Sequence, residues 1–351
     1  MSKELIRAIR QIERERGIGK NVLLDTLKAA LISAYRKHFG SAQSIEIDID
    51  PASGEVKVFA LKRVVNEVRD PRMEISLEDA KAYGSDVVEG DTVRVEITPR
   101  DFGRIAAQTA KQVIVQRLKE AERELIYEEF KEKVGDIVSG SVYRKDRNQV
   151  MINLGKTEAI LPNQEQIHTE DYRPGNSYKF YILEVRKTTK GPKIILSRTH
   201  PGLLKRLFEL EVPEVHEGVV EIKAVVREPG IRSKVAVWSN DPNVDPVGAC
   251  VGSKGARVQA VSRELSGERI DIISWSSDPL EFIANALSPA KVIKIERIEG
   301  EEKGARVWVP PDQLSLAIGR EGQNARLVAR LTGWRIDIKP FESEGTSVGE
   351  G

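Results

Sequence analysis

One cysteine, Cys250, stands in 351 residues. No internal disulfide can form, so a reducing, cytoplasmic setting is expected. Cys250 itself reads as a small buried residue on a short helix. Histidine is scarce too. His38, His168, His200 and His216 fall in no Cys/His metal spacing and no His-Glu-x-x-His pattern, so no metal site is expected. There is no Gly-x-Ser-x-Gly elbow, and the many carboxylates lie on charged, helix-like stretches that read as solvated faces. Neither a catalytic site nor a cofactor is therefore expected. No apolar run approaches the ~18 residues of a membrane span, and charge begins at Lys3, which argues against a span and a signal peptide. Net charge is nearly absent as well. With 55 basic and 54 acidic residues the chain is no polycation, so any nucleic-acid contact must use local patches.

What the sequence does have is an internal repeat. Gly-x-x-Gly occurs at Gly252-Ser253-Lys254-Gly255 and at Gly319-Arg320-Glu321-Gly322. One such pair alone is as readily a plain helical turn. Here the surroundings repeat too. Each loop leads into a helix-like run closing on Leu-x-Gly, at Leu265-Ser266-Gly267 and Leu331-Thr332-Gly333. Each then enters a strand-like run, Arg269–Ile272 and Arg335–Ile338. Asp245 and Asp312 each stand seven residues before a loop and read as helix N-caps. Self-similarity of this length predicts two copies of one structural unit.

The first glycine of each loop ends a short helix, and the second lets backbone approach a ligand where the next helix begins. Unpaired N–H groups and the helix dipole then favour an anion, with Lys254 and Arg320 adding charge. This is how KH modules clamp about four nucleotides of single-stranded RNA. The candidate RNA-binding residues are Gly252, Ser253, Lys254, Gly255 and Arg257 in the first copy. In the second they are Gly319, Arg320, Glu321, Gly322, Gln323 and Asn324. Glu321 weakens a purely electrostatic account, while Gln323 and Asn324 are amides suited to base edges.

Upstream, Leu23, Leu24, Leu27, Leu31 and Tyr35 form an apolar stripe within a helical stretch over residues 3–39, where Ile6, Ile9 and Ile12 form another. Gly17-Ile18-Gly19-Lys20 is no phosphate loop, because Arg14 stands where that pattern needs glycine. Strands are expected at Ser44–Asp50, Val56–Val68 and Asp91–Thr98, with a turn at Pro51–Gly54. A long helix follows from Asp101 to about Lys133, with the apolar line Ala110, Ile114, Leu118, Ala121, Leu125. Such a half-apolar helix could simply pack on its own sheet, but its length and its run straight into the next module favour a connector or partner-docking surface. Five short strands between Asp136 and Ser197 suggest a Greek-key barrel of the OB type. Residues 133–199 carry 12 basic against 7 acidic residues, the one clearly basic block. Tyr143, Arg144 and Lys145 there have the composition of a stacking-and-phosphate surface. Alternation leaves open whether Tyr143 packs instead, and which of Tyr178, Phe180 and Tyr181 points outward. From His200 the order α-β-β-α-α-β appears twice, matching the type II KH arrangement, with only Ser276–Pro279 between copies. The acidic, small-residue stretch Glu342–Gly351 is expected to be disordered.

The fold class expected is multidomain α+β. It comprises an α/β N-terminal domain with a long connecting helix (1–132), an S1-type OB barrel (133–199), two tandem type II KH domains (200–276 and 277–345) and a short tail (346–351). This order resembles the NusA family of bacterial transcription elongation and termination factors. The strings that carry the resemblance are Leu196–Pro201, Glu211–Val215, Arg227-Glu228-Pro229-Gly230, Asp245–Gly252, Asn285–Ala290 and Ile318–Leu327. The resemblance implies a non-enzymatic factor whose N-terminal domain docks on RNA polymerase near the RNA exit channel, at the β-subunit flap. Arg104 and Lys111 are then the polymerase-contact candidates. It implies a monomer that binds nascent single-stranded RNA and modulates pausing, termination and, with other Nus factors, antitermination. The acidic repeats that follow the second KH domain in some members are not in this sequence, so contacts depending on them are not expected. Two alternatives share the modules. A free-standing S1/KH adaptor in translation or RNA decay would not need the N-terminal 130 residues, and a phosphorolytic nuclease would need a core for which there is no room.

Overall fold

A computed structural model describes residues 20–40, 44–50 and 53–341. The chain forms two compact units that divide between Leu125 and Ile126. In the first, α1 (Lys20–Phe39) is followed by β1 (Ile45–Ile49), β2 (Val56–Val65), β3 (Glu74–Ser76), α2 (Leu77–Ala80) and β4 (Thr92–Glu96). The helix α3 (Phe102–Glu132) begins in this unit and ends in the next. The ten-residue strand β2 organises the sheet, pairing antiparallel with β1 and β4 and parallel with β3. Leu23, Leu27, Leu31 and Tyr35, at four-residue steps, meet Ile45, Ile47 and Ile49, at two-residue steps. The helix and strand periods thus converge on one core, completed by Val58 and by Phe102, Ala106 and Ala110 of α3. Ile114 and Leu118 pack against it, whereas Leu125, expected on the same apolar line, is exposed. The stripe of Ile6, Ile9 and Ile12, part of the turn at Pro51–Gly54 and the stretch Glu342–Gly351 lie outside the described residues.

The second unit starts with a closed five-stranded barrel. Its strands are β5 (Ile137–Lys145), β6 (Gln149–Asn153), β7 (Glu158–Pro162), β8 (Ser177–Thr188) and β9 (Gly191–Ser197), in the order β5-β6-β7-β9-β8. Alternate side chains fill it: Val150 and Ile152, Ala159 and Leu161, Phe180 and Ile182, Ile194 and Leu196. Phe130 and Ile126 of α3 pack into the same core, so a boundary at residue 132 would cut through the barrel's packing.

Two copies of one α/β unit follow. The first has α4 (Pro201–Glu211), α5 (Pro213–His216), β10 (Val220–Glu228), β11 (Arg232–Ser239), α6 (Pro246–Val251), α7 (Ala256–Glu264) and β12 (Arg269–Ser274). The second has α8 (Pro279–Ala286), β13 (Lys294–Arg297), β14 (Gly304–Val309), α9 (Leu314–Ile318), α10 (Gln323–Thr332) and β15 (Arg335–Pro340). Both sheets have the same topology, an antiparallel pair followed by a parallel third strand. The copies are fused through one core. Val226, Ala236 and Ile273 of the first sheet share a buried cluster with Phe282, Ile283, Leu327 and Val328 of the second copy's helices. The short connection is itself capped: Asp278 accepts from the Leu280 N–H at 3.1 Å, and Ser276 donates to Glu281 at 2.6 Å.

Candidate RNA-binding surface

The two Gly-x-x-Gly loops are conformational copies. Gly252 has φ 73°, ψ 174° and Gly319 has φ 76°, ψ 168°. Lys254 (φ 51°, ψ 27°) matches Glu321 (φ 53°, ψ 26°), and Gly255 (φ 76°, ψ 16°) matches Gly322 (φ 73°, ψ 13°). Three of four residues per loop are left-handed or otherwise at positive φ, which is why glycine stands at both ends. Asp245 caps α6 as expected, its carboxylate accepting from the Val247 N–H at 3.0 Å. Asp312 does not cap its helix. It lies inside a short 3-10 turn, Pro311–Gln313, which absorbs the entry to α9.

Ser253, Lys254, Arg320 and Glu321 are exposed at the loop tips. The residues just after the loops behave otherwise. Arg257 packs over Gly252, where an added Cβ would come within 2.8 Å of its side chain. It donates to the Ala249 carbonyl at 2.7 Å and pairs with Glu214 at 3.0 Å, so it mainly holds the loop. Asn324, expected to read bases, is fully buried; its amide donates to the Ala317 carbonyl at 2.9 Å and fixes the second loop from beneath. Gln323, expected to do the same, instead donates to Glu228 of the first copy at 2.7 Å. Arg326 reaches the same carboxylate at 2.9 Å. Burial works against the Glu228 charge, but the hydrogen bonds from Arg326 and Gln323 outweigh it and hold the carboxyl below its usual range. The helix behind the second loop is thereby clamped to the end of a strand in the first copy.

On the barrel, Tyr143 is exposed and sits at a β-bulge, where the β5–β6 register slips between Val142 and Arg144. The bulge turns its ring outward. Arg144 pairs with Asp146 at 3.0 Å, and the Lys145 ammonium lies 5.9 Å from the Tyr172 ring centre. The three β8 aromatics are not free. Phe180 is buried, Tyr178 donates to the Asp171 carbonyl, and Tyr181 stacks on His200 at 4.4 Å. Arg104 and Lys111 are exposed on α3, seven residues apart and therefore on one side of the helix.

The junctions of the barrel with the first copy, and of the first copy with the second, rest on charges whose burial the sequence pattern does not signal. Arg198 is completely buried and pairs with Glu170 of the barrel and Glu264 of α7. Arg227 pairs with the buried Glu268 at 2.7 Å and donates to the His200 carbonyl at 3.0 Å. Lys234, also buried, bonds Asp271 and the Ser288 carbonyl of the second copy. Arg198 and Arg227 sit in two of the strings that carry the family resemblance; nothing in their local pattern marks them as interior. Among the described residues no cluster of three or more His, Cys, Asp or Glu could hold a metal, and no helix is long and apolar enough to cross a membrane.

Family models match the chain in series. They are the NusA N-terminal domain over residues 4–124, the S1 RNA binding domain over 131–198, and the NusA-like first and second KH domains over 198–275 and 279–345. The chain is similar to proteins named transcription termination/antitermination protein NusA. That of Bacillus subtilis is 56% identical over 97% of this chain and 91% of its own length. That of Thermus thermophilus is 48% identical over 97% of this chain and 91% of its own length. That of Mycobacterium tuberculosis is 46% identical over 95% of this chain and 92% of its own length. Four models in unbroken order, with relatives matched across nine-tenths of their length, show that the chain belongs to the NusA family.

Proposed function

We propose that this chain is a transcription termination/antitermination factor that docks on RNA polymerase through its first unit and holds nascent single-stranded RNA on its second. The polymerase contact is at the flap near the RNA exit channel, with Arg104 and Lys111 on the exposed side of α3 as contact residues, and the factor acts as a monomer in the cytoplasm. It performs no chemistry. The observation that carries the reading is the duplicated loop with matched dihedral angles, held on a block whose barrel and two KH units are locked together.

Each loop offers main-chain N–H groups at a helix start and an exposed polar tip, suited to a phosphate of a flexible strand. Such contacts are individually weak. Docking on polymerase raises the effective RNA concentration toward the millimolar range, so weak sites fill. Tyr143, Arg144 and Lys145 add a stacking and electrostatic contact on the barrel.

Replacing Ser253 and Lys254 together by Asp tests the reading. Aspartate tolerates the left-handed conformation at position 254, so the loop should keep its shape. Single-stranded RNA affinity should fall about tenfold or more, as expected when charge-assisted contacts of about 1.5–3 kcal/mol are lost. Unchanged affinity in a folded double variant would reduce the first loop to a turn.

A further inference from the structure

The matched dihedral angles fix which residue of one loop answers to which residue of the other. Ser253 corresponds to Arg320, and Lys254 to Glu321. At the same left-handed corner the first loop therefore presents a cation and the second an anion. Arg320 and Glu321 are both almost wholly exposed, and their charged ends stand 3.9 Å apart. The charge of the second loop is thus balanced within itself, whereas that of the first is not.

From this we infer that the two loops are unequal in charge and therefore in grip: Glu321 screens Arg320 and keeps phosphate from binding the second loop as it binds the first. The inference rests on the RNA-binding reading above and refines it. Of the two KH units, the first then supplies the larger share of the salt-sensitive affinity. The second holds the strand through uncharged main-chain donors and so adds little to the salt dependence. A strand crossing both units is then gripped firmly at the first loop and loosely at the second, so it can leave the second without leaving the first.

The first loop supplies the control for the test. A lysine already occupies this corner at position 254 with nearly the same φ and ψ, so Glu321→Lys asks nothing new of the backbone. Glu321→Gln removes the charge alone. Binding of the full chain to a single-stranded RNA long enough to reach both loops is measured against salt, for the parent, Glu321→Gln, Glu321→Lys and Lys254→Glu. Glu321→Lys should tighten binding about tenfold at low salt and Glu321→Gln by less, following the strength of charge-assisted hydrogen bonds. The slope of log affinity against log salt should steepen by about 0.7 for each further phosphate neutralised. Lys254→Glu should weaken binding and flatten the slope. If Lys254→Glu binds as the parent does, the phosphate reading of the first loop fails. If Lys254→Glu is impaired but both Glu321 variants match the parent, or bind more weakly, the inequality of the loops is wrong while the RNA reading stands.

Discussion

Arg198→Met should unfasten the barrel from the first KH unit, and the structure sets the size of the effect. The Arg198 side chain has no solvent exposure and donates five hydrogen bonds. Two go to the Glu170 carboxylate, one to the Lys179 carbonyl at 2.6 Å, and two to Glu264, through its carboxylate at 3.2 Å and its carbonyl at 2.7 Å. Methionine fills much of the volume but leaves Glu170, itself buried, with only the Tyr172 and Ser266 hydroxyls at 2.7 and 3.1 Å. Burial and the Glu170 charge push the Tyr172 phenol above its ordinary value, so it stays a donor, yet these two neutral donors do not replace a guanidinium. Stranding one partner of a buried ion pair costs about 3–5 kcal/mol. For a unit of this size that corresponds to a drop of roughly 6–20 °C in melting temperature. All four tryptophans, 238, 275, 308 and 334, lie in the KH units, so their fluorescence follows that block while far-UV dichroism follows the whole chain. The variant should melt earlier, and the two signals should separate as the junction opens. Arg198→Met combined with Glu170→Leu removes the stranded charge and should recover much of the loss. A single variant costing under about 1 kcal/mol, or a double variant worse than the single, would refute the reasoning.

Two further outcomes are expected. Burial pushes the Cys250 thiol up to about 12, so it stays protonated and out of reach; alkylation of the folded protein at pH 8 should be far slower than in denaturant, and equal rates would place the thiol on the surface. The Glu228 carboxyl is held below its unfolded value, so its contribution is full above the ordinary Glu value of about 4.3 and is lost as pH falls through the folded value. Glu228→Gln should therefore flatten the acid limb of the KH block's stability profile, followed by tryptophan fluorescence in urea, and an unchanged limb would remove the clamp from the account.

What can be read from the sequence is short-range. The stripe Leu23, Leu27, Leu31, Tyr35, the alternation Ile45, Ile47, Ile49 and the paired glycines each carry their period or backbone requirement within a few residues, and the structure places them accordingly. The interior charges cannot be read that way. Arg198 and Glu170 are 28 residues apart, and Gln323 and Glu228 are 95 apart. A charged or amide side chain by default belongs in water, and only the tertiary partner makes its burial tolerable. Asn324 shows the same limit within the candidate site. Its amide chemistry suits a base edge, but the turn of α10 places it under the loop, where it satisfies the Ala317 carbonyl instead. Phe130 reads as part of the helix alone, because its place in the barrel core depends on which sheet the helix end meets.

We propose that the first unit delivers the RNA-binding block to the transcribing polymerase. Hairpin-pause lifetime, measured with the full chain and with residues 126–351 alone, tests it most directly; that cut keeps Ile126 and Phe130 in the barrel core. At equal concentration the full chain should lengthen the pause, and the 126–351 fragment should bind free RNA yet leave the pause lifetime unchanged. A fragment that reproduced the full pause by itself would contradict the account.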